Sequence, residues 1–269
     1  MLTVLKLGGS LLDPARDAAG GPWAALAAAV ARRAAGGESL CLVHGGGAAL
    51  TAFLAERRIP SRFHQGLRVT DAATLEAALM ILAGTMNKRL TAALNAALEA
   101  AGTAARAVGL CGLDGGCVAA EVADPALGHV GRVTGGDPRL LPALLAAGFV
   151  PVLASLAAGP EGPLNVNADS FAAAVAAQLG ASRLSFVTDV PGVLDAQGRV
   201  APRLDVATLA DWSANGQVRG GMLPKLAACR QALERGVGRV EVIGAAALLE
   251  ESLAGPAAAG TQITLGSPA

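Results

Sequence analysis

The chain has 269 residues, a formal net charge of zero, 53% hydrophobic residues and only 3% aromatic residues. With neither a basic stripe nor a set of aromatic side chains for stacking, the sequence argues against nucleic-acid binding. Its length allows one α/β domain or two lobes that share a sheet.

Apolar runs and alanine-rich stretches alternate along the chain. The predicted strands are the run that begins at residue 3 and the segments 39–43, 105–110, 149–153, 184–187 and 240–243. The predicted helices are 22–35, 46–57, 72–100, 137–147, 168–179, 205–214 and 222–235. Shorter runs with alternating polar residues, 61–70 and 117–134, indicate hairpins. This order predicts a three-layer α/β sandwich with a mostly parallel central sheet, in two lobes that meet near Gly180.

Three features favour a cytoplasmic protein without a membrane span. The uncharged stretch 140–160 is divided by Gly148 and Pro151, so it predicts a helix followed by a strand. The four cysteines show no C-x-x-C spacing and are interpreted as reduced core thiols. Met1 leads directly into the first strand, so no signal peptide is expected.

Lysine is rare in this chain and therefore informative. Only Lys6, Lys88 and Lys225 are lysines, against 18 arginines. Lys6 lies inside an apolar strand, where an unpaired ammonium would be costly to desolvate. A retained lysine indicates a site that needs a compact ammonium, although chance retention is the alternative at each position.

Four predicted strands end in glycine-rich or short polar loops. These are K-L-G-G-S at 6–10, H-G-G-G at 44–47, G-L-C-G-L-D-G-G at 109–116 and T-D-V-P-G at 188–192. Ligands bind at such ends in parallel sheets, and glycine lets backbone N–H groups approach an anion, although each loop alone is also typical of a tight turn. The phosphate-loop, dinucleotide-binding and protein-kinase motifs are missing from the sequence.

Two polar stretches add candidate residues. In G-L-R-V-T-D, Arg68 either grips a carboxylate with both arms of its guanidinium or is a surface residue, and Thr70 or Asp71 caps the next helix. In L-N-V-N-A-D-S, Asn165 and Asn167 share one face of an extended segment. Asp169 either joins this polar cluster or caps the helix that it opens.

Taken together, these motifs resemble the amino acid kinase family and, within it, the acetylglutamate kinases. The matching pieces are K-L-G-G-S-L-L, V-H-G-G-G, G-L-R-V-T-D, G-T-M-N-K, G-H-V-G, N-V-N-A-D, T-D-V-P-G-V and G-G-M-L-P-K, in the order of the family and over nearly the whole chain. The resemblance implies a carbamate kinase-like fold and transfer of the ATP γ-phosphoryl group to the side-chain carboxylate of N-acetyl-L-glutamate, the second step of arginine biosynthesis by the acetylated route.

The resemblance also implies roles for individual residues. Lys6 and Lys225 would flank the transferred phosphoryl group, and Asp169 would hold both lysines. The acceptor would be bound in a lobe of residues 1–180, which would also form the dimer interface, by Gly46, Gly47, Arg68 and Asn165. ATP with its Mg²⁺ would be bound chiefly by a lobe of residues 181–269, through Gly8, Gly9, Thr188, Asp189, Gly220, Gly221 and Met222. No protein metal ligand is expected, because no cluster with metal-ligand spacing is evident.

Some features depart from this pattern or leave alternatives open. Many acetylglutamate kinases carry G-L-S-G-K-D-G where this chain has Cys111 and Leu113, which leaves the contribution of that loop open. A kinase of carrier-linked aminoadipate is the main rival, and a non-catalytic anion-binding protein of the same fold is another. Arginine-regulated family members carry an extra N-terminal helix, for which this sequence leaves no room before Lys6. We therefore expect a homodimer that arginine does not inhibit.

Overall fold

A computed structural model describes residues 1–12, 22–64, 66–218, 220–254 and 260–266. Its strands are β1 (Leu2–Leu7), β2 (Ser39–His44), β3 (Phe63–His64), β4 (Leu67–Arg68), β5 (Arg106–Cys111), β6 (Ala119–Val122), β7 (Val130–Gly135), β8 (Phe149–Ala154), β9 (Leu156–Gly159), β10 (Gly162–Val166), β11 (Arg183–Thr188), β12 (Arg203–Asp205), β13 (Arg239–Gly244) and β14 (Thr261–Thr264). Its α-helices are α1 (Pro22–Ala35), α2 (Gly47–Glu56), α3 (Ala72–Ala78), α4 (Asn87–Ala100), α5 (Leu140–Ala146), α6 (Ala168–Gln178), α7 (Val206–Ala214), α8 (Met222–Glu234) and α9 (Ala245–Ala254). Short 3₁₀ turns occupy Gly9–Leu12, Asp114–Gly116 and Pro125–Leu127.

The central sheet has eight strands in the order β12-β14-β13-β11-β1-β2-β8-β5. Neighbouring strands are parallel except β13 and β14, which are antiparallel. Burial on both faces explains why the inner strands are continuous apolar runs. The predicted α/β class with a mostly parallel sheet is confirmed, whereas β12, β14 and α9 were not predicted.

Side chains of β1 alternate between two hydrophobic cores, one on each face of the sheet. Val4 packs in the core that contains residues of α6 and α8, whereas Leu5 and Leu7 pack in the core that contains residues of α1 and α4. Because successive side chains of a strand point to opposite faces, Lys6 lies on the face of Val4. This alternation directs the buried lysine toward α6 and α8.

The predicted helix 72–100 is helical throughout but changes its winding. A π-helix, Leu79–Met86, joins α3 to α4. Such segments are rare and often occur near functional sites. Asp71 caps the N-terminus of α3 by accepting a hydrogen bond from Thr74 N at 2.8 Å, which decides between the two predicted capping residues.

The outer edge of β5 is covered by polar side chains. Asn95 of α4 pairs with both backbone groups of Ala107, at 2.8 and 3.1 Å. Lys88 donates a 2.7 Å hydrogen bond to Gly109 O. Strand β5 passes close to α4 at this point, since a Cβ at Gly109 would lie 2.2 Å from Asn87 Oδ1. These contacts satisfy strand groups that lie at an edge of the sheet.

Four short strands form a small closed barrel beside the sheet, in the order β10-β7-β6-β9. The pairs β3–β4 and β6–β7 are antiparallel, which confirms the predicted hairpins within 61–70 and 117–134. The antiparallel pair β9–β10 was not predicted as strands.

The structure also tests three local predictions. Helix α5 begins at Leu140 rather than at 137, because the residue before Pro138 is disfavoured in the α conformation and Asp137 instead accepts a hydrogen bond from Arg139 N at 2.9 Å. Within the described ranges, no helix is long and apolar enough to cross a membrane. All four cysteines are buried and unpaired.

Candidate active site

The carboxyl ends of β1, β2 and β10 border a cavity of about 390 Å³. This is where ligands bind in open parallel sheets. Six residues predicted for the site line it: Lys6, Gly9, Gly46, Gly47, Arg68 and Asn165. The structure therefore brings all four residues predicted for the acceptor to one place, beside a predicted catalytic lysine.

Lys6, Asp169 and Lys225 form one buried cluster. Asp169 Oδ1 lies 2.6 Å from Lys6 Nζ and 3.0 Å from Lys225 Nζ, and each residue is 6% exposed. The lysines come from β1 and the first turn of α8, and the aspartate from the first turn of α6. Lys225 Nζ also lies 5.4 Å from the centre of the Phe186 ring. One carboxylate thus holds two cations from separate elements.

Burial and mutual charge act in opposite directions on this cluster. Burial lowers the pKa of Lys6 from its ordinary value, Lys225 lowers it further, and Asp169 opposes both effects. For Asp169, burial alone would raise the pKa, but the charges of Lys6 and Lys225 hold it below its ordinary value. Asp169 is therefore ionised at neutral pH.

Helix capping does not explain Asp169. The N-cap of α6 is Asn167, whose side chain accepts hydrogen bonds from Asp169 N at 3.0 Å and Ser170 N at 3.1 Å. The prediction that Asp169 could serve as the cap is wrong, because Asn167 already satisfies the first free N–H groups of the helix. The carboxylate of Asp169 is left for the two lysines.

Arg68 is buried rather than a surface residue. It is 9% exposed, and its Nη2 donates to Thr51 Oγ1 at 2.7 Å and Gly47 O at 3.1 Å. Nη1 donates to Ser61 Oγ, and the guanidinium lies 4.6 Å from the centre of the Phe63 ring. These contacts fix the guanidinium beside the glycine loop that follows β2.

The glycine loop is shaped by close approach to the π-helix. A Cβ at Gly46 would lie 2.3 Å from Met86 Sδ and 2.6 Å from Leu82 Cδ2, so a larger residue there would displace both of these buried side chains. Gly47 begins α2, and the first N–H groups of a helix have no acceptor within it. The loop can therefore present backbone N–H groups to an anion in the cavity.

Asn165 is held on the barrel side of the cavity. It lies on β10 opposite Val130 of β7, and its Nδ2 donates to Thr70 Oγ1 at 3.1 Å. Thr70 in turn donates to Arg68 O at 3.0 Å. A chain of hydrogen bonds thus joins the Asn165 side chain, through Thr70, to the backbone of Arg68.

The residues predicted for the nucleotide lie outside this cavity, apart from Gly9. Gly8 N donates to Val187 O at 2.8 Å, which joins the end of β1 to β11. Thr188 ends β11 and donates to Asp189 Oδ1 at 3.1 Å. The other three precede or begin α8, with Gly220 in a left-handed conformation at φ 58°: Gly220, Gly221 and Met222.

Sequence reasoning missed two buried polar residues behind the glycine loop. His44 Nδ1 lies 2.8 Å from Gly45 O, and His44 Nε2 lies 3.0 Å from Asn87 Nδ2. Both residues are 0% exposed, and burial lowers the pKa of His44 to about 4. The motifs H-G-G-G and G-T-M-N-K contain these residues and were the available signal.

Two other predictions concern the loop that contains Cys111 and Leu113 and the absence of a metal site. Neither Cys111 nor Leu113 lines the cavity, and Cys111 N donates to Asp114 Oδ2 at 2.7 Å, which closes that loop locally. Among the residues that the structure describes, no group of three or more His, Cys, Asp or Glu side chains could hold a metal ion.

Comparison with known proteins identifies the family. Residues 1–244 match the model of the amino acid kinase family. The chain belongs to this family. It is 45% identical over 260 residues to an acetylglutamate kinase of Solibacter usitatus, covering 95% of this chain and 96% of that protein. It is 44% identical to the acetylglutamate kinase of Koribacter versatilis, covering 98% of each.

A solved structure of a similar protein, smu.665 from Streptococcus mutans UA159, has the same overall fold. It superposes with a TM-score of 0.80 at 28% sequence identity and covers 98% of this chain and 99% of that one. The predicted amino acid kinase fold is thereby confirmed.

Proposed function

We propose that this chain transfers the γ-phosphoryl group of ATP to the side-chain carboxylate of N-acetyl-L-glutamate. Its similarity to acetylglutamate kinases at 44–45% identity over nearly the whole chain carries this conclusion. The cavity beside the buried lysines is the site to which we assign the acceptor.

The chemistry of the reaction fits such a site. A glutamate-type carboxylate has a pKa of about 4.3 and is ionised at neutral pH, so no general base is required. The obstacle is the repulsion between this carboxylate and the phosphate oxygens. Two unit charges about 4 Å apart interact by roughly 4 kcal/mol at an effective dielectric constant near 20. Catalysis therefore depends on positive charge and positioning.

The three charged residues of the buried cluster would share this work. Lys6 and Lys225 would flank the phosphoryl group during its transfer. Lys6 would lie on the acceptor side, and Lys225 would extend from the first turn of α8. Asp169 would keep the two ammonium groups at a fixed separation, since a single oxygen contacts both. When the phosphoryl group binds, its oxygens would also attract the two ammonium groups that Asp169 holds.

The glycine loop and Arg68 would bind the acceptor. N–H groups of Gly46 and Gly47 would face one of its carboxylates, Arg68 would bind the other through the free part of its guanidinium, and Asn165 would bind a polar group of the acceptor. The guanidinium fork is already aligned by Thr51 and Gly47 O, which reduces the entropy lost on binding.

The nucleotide would be bound by residues 181–269 together with the loop after β1. Gly8 and Gly9 would contact its phosphates, Thr188 and Asp189 would lie beside it, and Gly220, Gly221 and Met222 would present the N-terminus of α8. Mg²⁺ would arrive with ATP as part of the substrate, so turnover should stop in excess EDTA. We further propose a cytoplasmic homodimer, supported by the unpaired cysteines and by Met80, which is 47% exposed on the π-helix.

A direct assay separates this function from its rivals. Acyl phosphates react with hydroxylamine to form hydroxamates, which can be measured alongside ADP release. We expect ATP-dependent hydroxamate with N-acetyl-L-glutamate and much less with free or carrier-linked aminoadipate. A preference for the carrier-linked substrate would assign the chain to the rival kinase, and nucleotide binding without turnover of any acceptor would indicate a non-catalytic protein.

A further inference from the structure

The buried pair His44 and Asn87 lies directly behind the glycine loop. Asn87 comes from the start of α4, where the π-helix ends, and His44 is the last residue of β2. Both are completely buried, so each polar atom needs a partner inside the protein.

The contacts of Asn87 determine its orientation. Its Nδ2 lies 2.8 Å from Val152 O and 3.3 Å from Leu110 O, and carbonyl oxygens only accept hydrogen bonds. Lys88 Nζ donates to its Oδ1 at 3.2 Å. The amide nitrogen must therefore face the carbonyls, and it is this nitrogen that lies 3.0 Å from His44 Nε2.

The orientation of Asn87 then fixes the protonation of His44. The two hydrogens of Asn87 Nδ2 point to its two nearest acceptors, Val152 O and His44 Nε2, and an amide nitrogen accepts no hydrogen bond. His44 Nε2 therefore carries no proton. The proton of the neutral imidazole is consequently on Nδ1, which donates to Gly45 O at 2.8 Å. The lowered pKa of His44, about 4, agrees with a neutral ring.

A fixed Gly45 carbonyl fixes the next amide. A trans peptide is planar, and its C=O and N–H point in opposite directions. Holding the Gly45 carbonyl against His44 therefore directs the Gly46 N–H away from His44. A Cβ placed on Gly9 would lie 4.0 Å from Gly46 N and 3.5 Å from Gly47 N, so both amides lie beside the loop after β1 at the cavity.

We propose that His44 is a positioning residue: held by Asn87, it directs the Gly46 N–H toward the anionic acceptor. The inference rests on the proposed function, since it assigns the acceptor to this loop. His44 does not touch the acceptor and exchanges no proton with it.

Two substitutions of similar size separate the two hydrogen bonds of His44. His44→Asn places an amide donor near the position of Nδ1 and can keep the bond to Gly45 O. His44→Gln places an acceptor near the position of Nε2 and can keep only the bond to Asn87. We expect His44→Asn to stay within about threefold of the wild-type KM for N-acetyl-L-glutamate, and His44→Gln to raise it about tenfold, with the KM for ATP unchanged in both.

The KM values of the two variants test the role of His44. Equal effects of the two variants, or equal changes in both KM values, would show that His44 only supports folding and would overturn the proposal. If either variant unfolds, the wild-type protein provides the test through ¹⁵N NMR of its histidines. A signal for His44 protonated on Nδ1 supports the proposal, and one protonated on Nε2 overturns it.

A wrong assignment of the acceptor would give a different result from a wrong role for His44. It would show as wild-type protein that makes no hydroxamate from N-acetyl-L-glutamate, whatever the histidine spectrum. The tautomer measurement would then still decide whether His44 orients the glycine loop.

Discussion

Replacing Asp169 by Asn should lower kcat far more than the KM for N-acetyl-L-glutamate. The substitution keeps the size of the side chain but removes the charge that holds Lys6 and Lys225 together. Without it, the two ammonium groups repel each other and leave the positions that the transition state needs. We expect kcat to fall roughly 10²- to 10⁴-fold, which corresponds to about 3 to 5 kcal/mol.

The contacts of the cluster also give the expected loss of stability. Because one oxygen contacts both lysines, at 2.6 and 3.0 Å, the two nitrogens lie at most about 5.6 Å apart. At an effective dielectric constant near 20, their repulsion is about 3 kcal/mol. Removing one partner from a buried ion pair commonly costs about 3 to 5 kcal/mol. We therefore expect the free energy of unfolding to fall by about 3 kcal/mol.

The stability of this variant should depend on pH. Burial already lowers the pKa of Lys6, and loss of Asp169 removes the charge that opposed this shift. The unfolded chain keeps the Lys6 proton up to the ordinary pKa of 10.5, whereas the folded variant releases it at lower pH. The unfolded state thus binds more protons in that window, so the unfolding free energy of the variant rises with pH. The difference in unfolding free energy between the wild type and the variant therefore narrows toward pH 10.

A matched control is available at Glu241, a buried acid two strands from β1, in register with Leu5 and therefore on the opposite face of the sheet from Lys6. It is 2% exposed, and its carboxylate lies 2.7 Å from Arg183 Nε and 2.8 Å from Arg239 Nε. Glu241→Gln should also lower stability in urea unfolding, but it should leave kcat within about threefold, and its deficit should not narrow below pH 10 because arginine stays charged. If both variants lost kcat equally, Asp169 would be a structural residue only.

Three further predictions concern the lysines, the arginine and the assembly. Lys6→Ala and Lys225→Ala should each lower kcat roughly 10²- to 10⁴-fold with smaller changes in KM, and near wild-type kcat in both would remove them from the reaction. Arg68→Lys should raise the KM for N-acetyl-L-glutamate about tenfold and leave the KM for ATP unchanged, because an ammonium cannot form the paired contacts of a guanidinium; equal changes in both would indicate a role in folding. Light scattering should give about twice 26.5 kDa, and a mass of one chain would contradict the homodimer.

The sequence allowed the inner part of the sheet to be predicted because its strands are long apolar runs. Helix α1 was predicted with both ends correct. Six strands of the central sheet were found within one or two residues, namely β1, β2, β5, β8, β11 and β13. The short strands β9, β10, β12 and β14 were missed. Their three to five residues are too few for a clear periodicity, and β12 and β14 lie at the edge of the sheet beyond β13.

The site was predictable where a residue type contradicted its surroundings. A lysine inside an apolar strand required a partner, and the structure supplies Asp169. His44 and Asn87 gave no such contradiction, because histidine beside glycines and asparagine in a helix are both ordinary. Their importance comes from a contact between residues 43 positions apart, which only the folded chain brings together.

Polar side chains along β5 restrict how two copies of this chain could meet. The groups of Ala107, Gly109 and Cys111 that face outward already bind Asn95, Lys88 and Asp114. A strand from another molecule would have to displace these side chains before it could extend the sheet at this end. Any assembly on this side must therefore use helix surfaces, and the backbone edge is protected against fibril-like stacking. Lys88, the third lysine, thus covers this edge through Gly109 O and also contacts Asn87 Oδ1 behind the glycine loop.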